Sequence, residues 1–114
     1  MVRKLAEPPY CPDAGDIVWI DLSPQRGREQ AGRRPALVLS PRAYNRKAQL
    51  CIVCAMTNQA KGYPFEVAFP SGFPVGGVVL AGLSWKHRNA QFWCEAPAGV
   101  LWEVASKLRA LLQL

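Results

Sequence analysis

The chain has 114 residues, half of them apolar, which fits one globular domain with a modest core. Its 14 Lys and Arg residues outnumber its 8 Asp and Glu residues, a balance that favours a polyanionic partner such as nucleic acid. No apolar run reaches the roughly 18 residues of a membrane helix, and the first residues lack the apolar segment of a signal peptide, so we expect a cytoplasmic protein that does not contact a membrane.

The predicted elements follow an N-terminal tail. Residues 1–14 hold four charges and three prolines and are predicted to be this tail, while residues 15–114 form the domain. Strand patterns are predicted at residues 17–22, 35–40, 49–56, 65–69, 78–83 and 90–95. Two glycines and a proline in residues 23–34 predict a long loop, and long loops in compact domains are usually functional. Residues 41–47 are predicted to be a connection.

The C-terminal segment changes its periodicity. Apolar residues recur at three- and four-residue spacings from Val100 to Leu112, which predicts an amphipathic helix. Trp102 falls on the polar side of that helix and is expected to be exposed. Five or six short strands, tight turns and one terminal helix predict a mainly β protein with α structure, a small β-barrel or curved sheet with a C-terminal helix.

The four cysteines fit a reducing compartment. Cys51 and Cys54 have the CxxC spacing of many zinc sites, but they lie in LCIVCAM, a predicted buried strand. Side chains three residues apart on a strand point to opposite faces, so this pair cannot share a metal ion. We therefore predict core thiols, with no metal or cofactor site.

Positive charge is concentrated between residues 26 and 47, which hold seven Lys and Arg residues and one acid, Glu29. Arg33 and Arg34 follow Gly32, and such an arginine pair can approach a phosphate closely and hold it with parallel hydrogen bonds. We predict phosphate binding here, with a solvated basic face as the alternative.

The candidate chemistry follows from the residue types available. Magnesium-dependent nucleases need several carboxylates, and no pair of acids here has ligand spacing. A single histidine and the lack of a nucleophile elbow argue against serine or thiol hydrolysis. RNA supplies its own nucleophile, the 2′-hydroxyl, so a cation, a hydroxyl donor and a general base suffice for its cleavage.

Each of these roles has a candidate. Arg34 is the predicted charge stabiliser, and Thr57, at the polar end of a buried strand, is the predicted hydroxyl donor. Glu29 is either the general base or the residue that orients the arginines. His87 is a second candidate for proton transfer, although a histidine between two cations is more often a surface residue. The predicted RNA-binding residues are Arg28, Gln30, Arg33, Asn58, Gln59, Lys61, Lys86, His87 and Arg88.

Several segments carry a family resemblance. Residues 15–19 (GDIVW), residues 27–41 (GREQAGRRPALVLSP), Thr57 and residues 61–67 (KGYPFEV) resemble the MazF/PemK family of toxin endoribonucleases. The GxEQxGxRP stretch is a specific signature, and the resemblance extends over about residues 13–81 and more loosely through the C-terminal helix. It implies an SH3-like barrel of the CcdB/MazF type that forms a homodimer, with RNA in a groove across the dimer interface.

The resemblance also implies an activity and a partner. It implies an mRNA interferase, which cleaves single-stranded RNA at short sequences without a metal ion and arrests growth, and a MazE-type antitoxin that covers the site. The family's arginine, threonine and glutamate match Arg34, Thr57 and Glu29. The chain departs from the family pattern at residues 80–86 (LAGLSWK). This segment is shorter than the corresponding segment of the family, and it lacks a glutamine and a basic residue that help to hold RNA in relatives.

Two other functions remain open at this point. A CcdB-like barrel poisons DNA gyrase through C-terminal residues, and the intact stretch at residues 27–35 argues against it. A non-catalytic RNA-binding barrel usually presents aromatic side chains on an open sheet face. The aromatic residues are scattered in this sequence, although Tyr44 and Trp85 are candidates for stacking on a base.

Overall fold

The computed structural model describes residues 10–22, 32–56 and 75–114. The elements are β1 (Asp16–Leu22), β2 (Gly32–Val38), α1 (Arg42–Ala48), β3 (Cys51–Met56), β4 (Val75–Leu83), β5 (Gln91–Glu95) and α2 (Val100–Leu112). The strands form one antiparallel sheet in the order β4-β3-β2-β1-β5. The predicted class, mainly β with a C-terminal helix, is confirmed, although the described strands form an open sheet rather than a closed barrel.

Successive side chains of a strand point to opposite faces of a sheet. In this sheet both faces carry buried residues. One face lies under α2, and its buried residues are Ile17, Leu37, Cys54, Met56, Val100 and Val104. The other face is covered by the N-terminal segment and the turn after β4, and its buried residues are Cys11, Val18, Ile20, Ala36, Val38, Cys51, Val53 and Trp85. Cys51 and Cys54 fall on different faces, as predicted, and both are free thiols.

β2 begins earlier than the sequence predicted. Gly32 has a φ of +114°, which glycine adopts easily, and Arg33 and Arg34 already pair with β1. The assignment of residues 32–34 to the loop was therefore wrong, because pairing with β1 outweighs the low strand preference of glycine. The remaining described strands agree with the prediction within a few residues, while the predicted strand at 65–69 and loop residues 23–31 lie outside the described residues.

Helix α1 occupies the segment predicted to be a connection. Its first backbone N–H, that of Arg42, donates to Asp13 Oδ1 at 2.9 Å. Asn45 is fully buried, and its amide nitrogen donates to the carbonyls of Pro12 and Ser40, both at 2.9 Å. Asn45 Oδ1 accepts a 2.6 Å bond from the Ser40 hydroxyl. A seven-residue helix is marginal by itself, so α1 depends on these tertiary bonds, which local sequence does not reveal.

Helix α2 has the predicted amphipathic character. Val100 and Val104 are buried against the sheet, whereas Trp102 is 74% exposed. Neither of the two helices in the described ranges is long and apolar enough to cross a membrane. Before β1, residues 10–14 of the predicted tail lie on the domain, where Cys11 is buried and the Tyr10 hydroxyl donates to Asp16 Oδ2 at 2.6 Å.

We expect Asn45→Ala to lower the free energy of unfolding by about 2–3 kcal/mol, because it leaves buried polar partners without hydrogen bonds. Urea denaturation followed by tryptophan fluorescence measures this loss. The matched control is Arg46→Ala, the exposed next residue of the same helix, for which we expect a change within about 0.5 kcal/mol. Equal stability of the two variants would contradict the role given to Asn45.

Candidate functional site

The first residues of β2 direct two adjacent arginines to opposite sides of the sheet. Arg33 pairs with Asp21 of β1, and Arg34 pairs with Ile20. Residues opposite each other in an antiparallel pair share a face, whereas neighbours along a strand do not. Arg34 therefore lies at the edge of the face that contains Ile20, and Arg33 lies on the face that α2 partly covers.

Arg33 is held by three acceptors from two other strands and a turn. Its Nη1 forms a 2.7 Å ion pair with Asp21 Oδ1. Its Nη2 donates to the Asn89 carbonyl at 2.8 Å and to Gln91 Oε1 at 3.0 Å. The guanidinium is thus fixed in place, although about a third of the side chain stays accessible.

Asp21 joins this arginine to the turn between β4 and β5. Its second oxygen, Oδ2, accepts a 2.8 Å bond from Asn89 Nδ2. This bond, together with the one from Arg33, holds the pKa of the Asp21 carboxyl below its ordinary value. A lowered pKa means that the ion pair is present at neutral pH and is lost only when the pH falls through that lowered value.

The turn at residues 84–89 is attached to β1 by its backbone as well. Asp21 N donates to the Arg88 carbonyl at 2.9 Å, and Arg88 Nη1 donates to the Asp21 carbonyl at 3.1 Å. Asn89 adopts a φ of 54°, in the left-handed region that asparagine tolerates. Lys86 and His87 are exposed on this turn and Arg88 is half-buried, so three predicted RNA-binding residues lie on one surface segment.

Arg34 is the one predicted catalytic residue within the described ranges, and it lies near the end of the β2–β3 pair. Ala36 pairs with Ala55 there, Arg34 precedes Ala36 by two residues, and Thr57 follows Ala55 by two. Arg34 is half-buried and takes part in interactions of its own. The other predicted residues of the two loops lie outside the described residues, namely Arg28, Glu29, Gln30, Thr57, Asn58, Gln59 and Lys61.

A tryptophan pair lies between the Arg33 cluster and the core beneath α2. The rings of Trp19 and Trp93 are 5.0 Å apart at 34°, and Trp93 is 36% exposed. By contrast Trp85, a sequence candidate for base stacking, is only 5% exposed and donates its ring N–H to the Asn45 carbonyl at 3.2 Å. Base stacking by Trp85 is therefore wrong, because its ring belongs to the core.

Sequence reasoning missed the residues that hold Arg33. Asp21, Asn89 and Gln91 were not among the predicted site residues. The available signal was the strand register. Extending the second predicted strand back by three residues sets Arg33 opposite Asp21.

These features define a class of protein: a small basic antiparallel sheet with a terminal helix, in which strand ends and turns present cations suited to a phosphate-bearing ligand. A family profile described as "PemK-like, MazF-like toxin of type II toxin-antitoxin system" matches residues 13–112. The chain belongs to this PemK/MazF toxin family.

Individual relatives agree with this assignment. The chain is 49% identical over 85 residues to the endoribonuclease toxin MazF of Escherichia coli K12, covering 71% of this chain and 76% of that protein. It is 30% identical over 120 residues to the endoribonuclease PemK of Escherichia coli, covering 98% and 90%. A crystal structure of MazE–MazF from Deinococcus radiodurans superposes with a TM-score of 0.81 at 47% identity, covering 92% of this chain and 99% of that chain.

The two hydrogen bonds to Asp21 predict a pattern in its titration. In a ¹³C NMR pH titration, the wild-type Asp21 carboxyl should titrate below the ordinary aspartate value. Asn89→Gly, which removes the side chain without straining the left-handed backbone, should raise the midpoint because it removes a hydrogen bond to the carboxylate, and Arg33→Ala should raise it because it removes a hydrogen bond and a positive charge. Unchanged midpoints in both variants would contradict the cluster.

Proposed function

We propose that the chain is an endoribonuclease toxin that cleaves single-stranded RNA, such as mRNA, at short specific sequences and without a metal ion, so that translation and growth stop. Membership of the PemK/MazF family and the names of the relatives support this activity. The two Escherichia coli relatives reported above are named endoribonucleases, and none of the reported relatives is named as a gyrase-binding barrel or a non-catalytic RNA-binding module.

The observation that carries the catalytic assignment is the β2–β3 register. Ala36 faces Ala55. In the sequence Arg34 precedes this pair by two residues and Thr57 follows it by two, which supports placing both at the same end of the β2–β3 pair. We assign Arg34 to the scissile phosphate and Thr57 to a neighbouring phosphate oxygen. Glu29 stays the proposed base, or the residue that orients the arginines.

The proposed reaction uses the RNA's own hydroxyl. A base takes the proton of the 2′-OH, the oxygen attacks phosphorus, and the bond from phosphorus to the 5′-oxygen breaks as that oxygen takes up a proton. Arg34 offsets the negative charge that grows on the phosphate, and the Thr57 hydroxyl donates a hydrogen bond to it. Arginine keeps its proton at ordinary pH, so Arg34 stabilises charge and another group is the base, with His87 as the second candidate for proton transfer.

The proposed RNA-binding residues surround this centre. They are Arg28, Gln30, Arg33, Asn58, Gln59, Lys61, Lys86, His87 and Arg88. Among them Arg33 differs from the others, because its guanidinium already forms an ion pair with Asp21. We propose that Arg33 contributes chiefly by fixing the turn that carries Lys86 and Arg88.

We further propose a homodimer and a MazE-type antitoxin as protein partners, in the cytoplasm where mRNA is available. Solved relatives include MazE–MazF complexes. Large apolar side chains are exposed along α2, with Trp102 at 74% and Leu112 at 61%. Apolar surface of this kind is typical of protein interfaces.

Substitution of either proposed catalytic residue should remove cleavage. For Arg34→Ala and Thr57→Ala we expect the single-turnover rate to fall by about 10²-fold or more, because each removes a donor to the transition state. Circular dichroism and thermal unfolding confirm that each variant is folded. Wild-type cleavage rates in both folded variants would contradict the assignment of Arg34 and Thr57 to the catalytic site.

The nucleophile can be tested in the RNA itself. An RNA with a single 2′-deoxy residue at the cleaved step should survive, because it lacks the attacking oxygen, whereas the unmodified RNA should be cut equally fast with and without EDTA. Cleavage of the deoxy substrate would contradict 2′-hydroxyl attack. Inhibition by EDTA would contradict the metal-independent mechanism.

A further inference from the structure

Helix α1 presents a set of cations that the proposed catalytic centre does not use. Its sequence, RAYNRKA, has three basic residues and no acid. Asn45 faces the interior, while Arg46 and Lys47 are exposed and Arg42 is half-buried. The negative end of the helix dipole favours basic residues such as Arg46 and Lys47 in the last turn. This effect explains the cations on α1 itself, but it does not explain a cation that comes from another segment of the chain.

Lys86 approaches α1 from a separate segment. Trp85 anchors its turn to the helix by the bond to the Asn45 carbonyl, and Lys86 Nζ lies 5.5 Å from the centroid of the Trp85 ring. Burial raises the pKa of the nearby Cys11 thiol, while the charges of Arg46, Arg42 and Lys86 oppose that rise. Cations from two segments therefore converge on one part of the surface. We call Arg42, Arg46, Lys47 and Lys86 the α1 patch.

The turn at residues 84–89 connects this patch to the candidate site. At its first end Trp85 is bonded to Asn45 of α1 and Lys86 lies beside the Trp85 ring. At its second end Arg88 and Asn89 are bonded to Asp21. His87 lies between the two ends. A basic path thus leads from the start of β2, over the turn, to α1.

Carboxylates do little to neutralise this path within the described ranges. Asp13 approaches Arg42 at 3.5 Å and Asp21 is paired with Arg33. Neither exposed cation of α1, Arg46 or Lys47, forms an ion pair there. The two segments carry five lysines and arginines, with no acidic residue in either, so the surface is complementary to a polyanion.

We propose that the α1 patch binds the phosphate backbone of RNA outside the cleaved step, as an extension of the substrate groove over the turn at 84–89. The inference rests on the proposed endoribonuclease function. It adds a surface that contributes to affinity for long RNA without touching the reacting atoms. Phosphate contacts of this kind carry little sequence information and depend strongly on salt.

The test compares two RNAs that contain the same cleaved step. One is a short oligonucleotide limited to the recognised sequence, and the other has unstructured extensions on both sides. In the variant with Arg46→Gln and Lys47→Gln, KM for the long RNA should rise by roughly fivefold at low salt while kcat stays the same. The slope of log kcat/KM against log salt should shrink by about 1.4, which corresponds to two lost phosphate contacts on a single strand. Cleavage of the short RNA should not change.

A matched control removes the same charge elsewhere. Lys107→Gln with Arg109→Gln alters α2, which packs on the opposite face of the sheet. This control should cleave both RNAs like the wild type. Equal effects of the two double variants on long RNA would overturn the proposal, because net charge would then explain them.

Two further outcomes also overturn it. An equal loss on short and long RNA would place α1 inside the catalytic groove or indicate damage to the fold. Unchanged cleavage of long RNA with weakened binding of poly-L-glutamate would assign the patch to an acidic protein segment. Failure of the wild-type protein to cut either RNA is a different result, which contradicts the proposed function itself.

Discussion

The register between β1 and β2 is the constraint on which the candidate site depends. It sets Asp21 against Arg33 and Ile20 against Arg34, so that adjacent arginines serve different faces of one strand. Arg33 is bound to a carboxylate, a carbonyl and an amide oxygen, while Arg34 is directed to the other face. A shift of one residue would exchange the faces of the two arginines and would also move the buried side chains of β2 to the opposite face of the sheet.

Asp21 connects the paired strands β1 and β2 to the surface turn at residues 84–89. Through Asn89 and Arg88 it fastens one end of the turn at 84–89, and the bond from Trp85 to Asn45 fastens the other end to α1. β4 ends at Leu83, which leads directly into this turn. The cations on the turn are therefore held between two anchors, a rigid arrangement that suits the binding of a flexible polyanion at lower entropic cost.

Sequence patterns predicted those parts of the fold that follow from local periodicity. The apolar runs gave most of the described strands, and the spacing from Val100 to Leu112 gave α2. Helix α1 was missed because its stability comes from Asn45 and Asp13, which bond across the fold. The partners of Arg33 were missed because Asn89 lies 56 residues away in the chain. The candidate arginines were found from charge and motif, but their division between two faces required the strand register.

The most direct test of this division is the single-turnover rate at saturating RNA for Arg33→Gln and Arg34→Gln, measured side by side at several pH values. Saturation removes differences in affinity, so the rate reports only on the chemical step and the conformation that supports it. We predict that Arg33→Gln keeps a rate within a few-fold of the wild type at every pH, whereas Arg34→Gln loses about two orders of magnitude or more. Equal, large losses in both variants would show that the two arginines act together on the phosphate and would contradict the account.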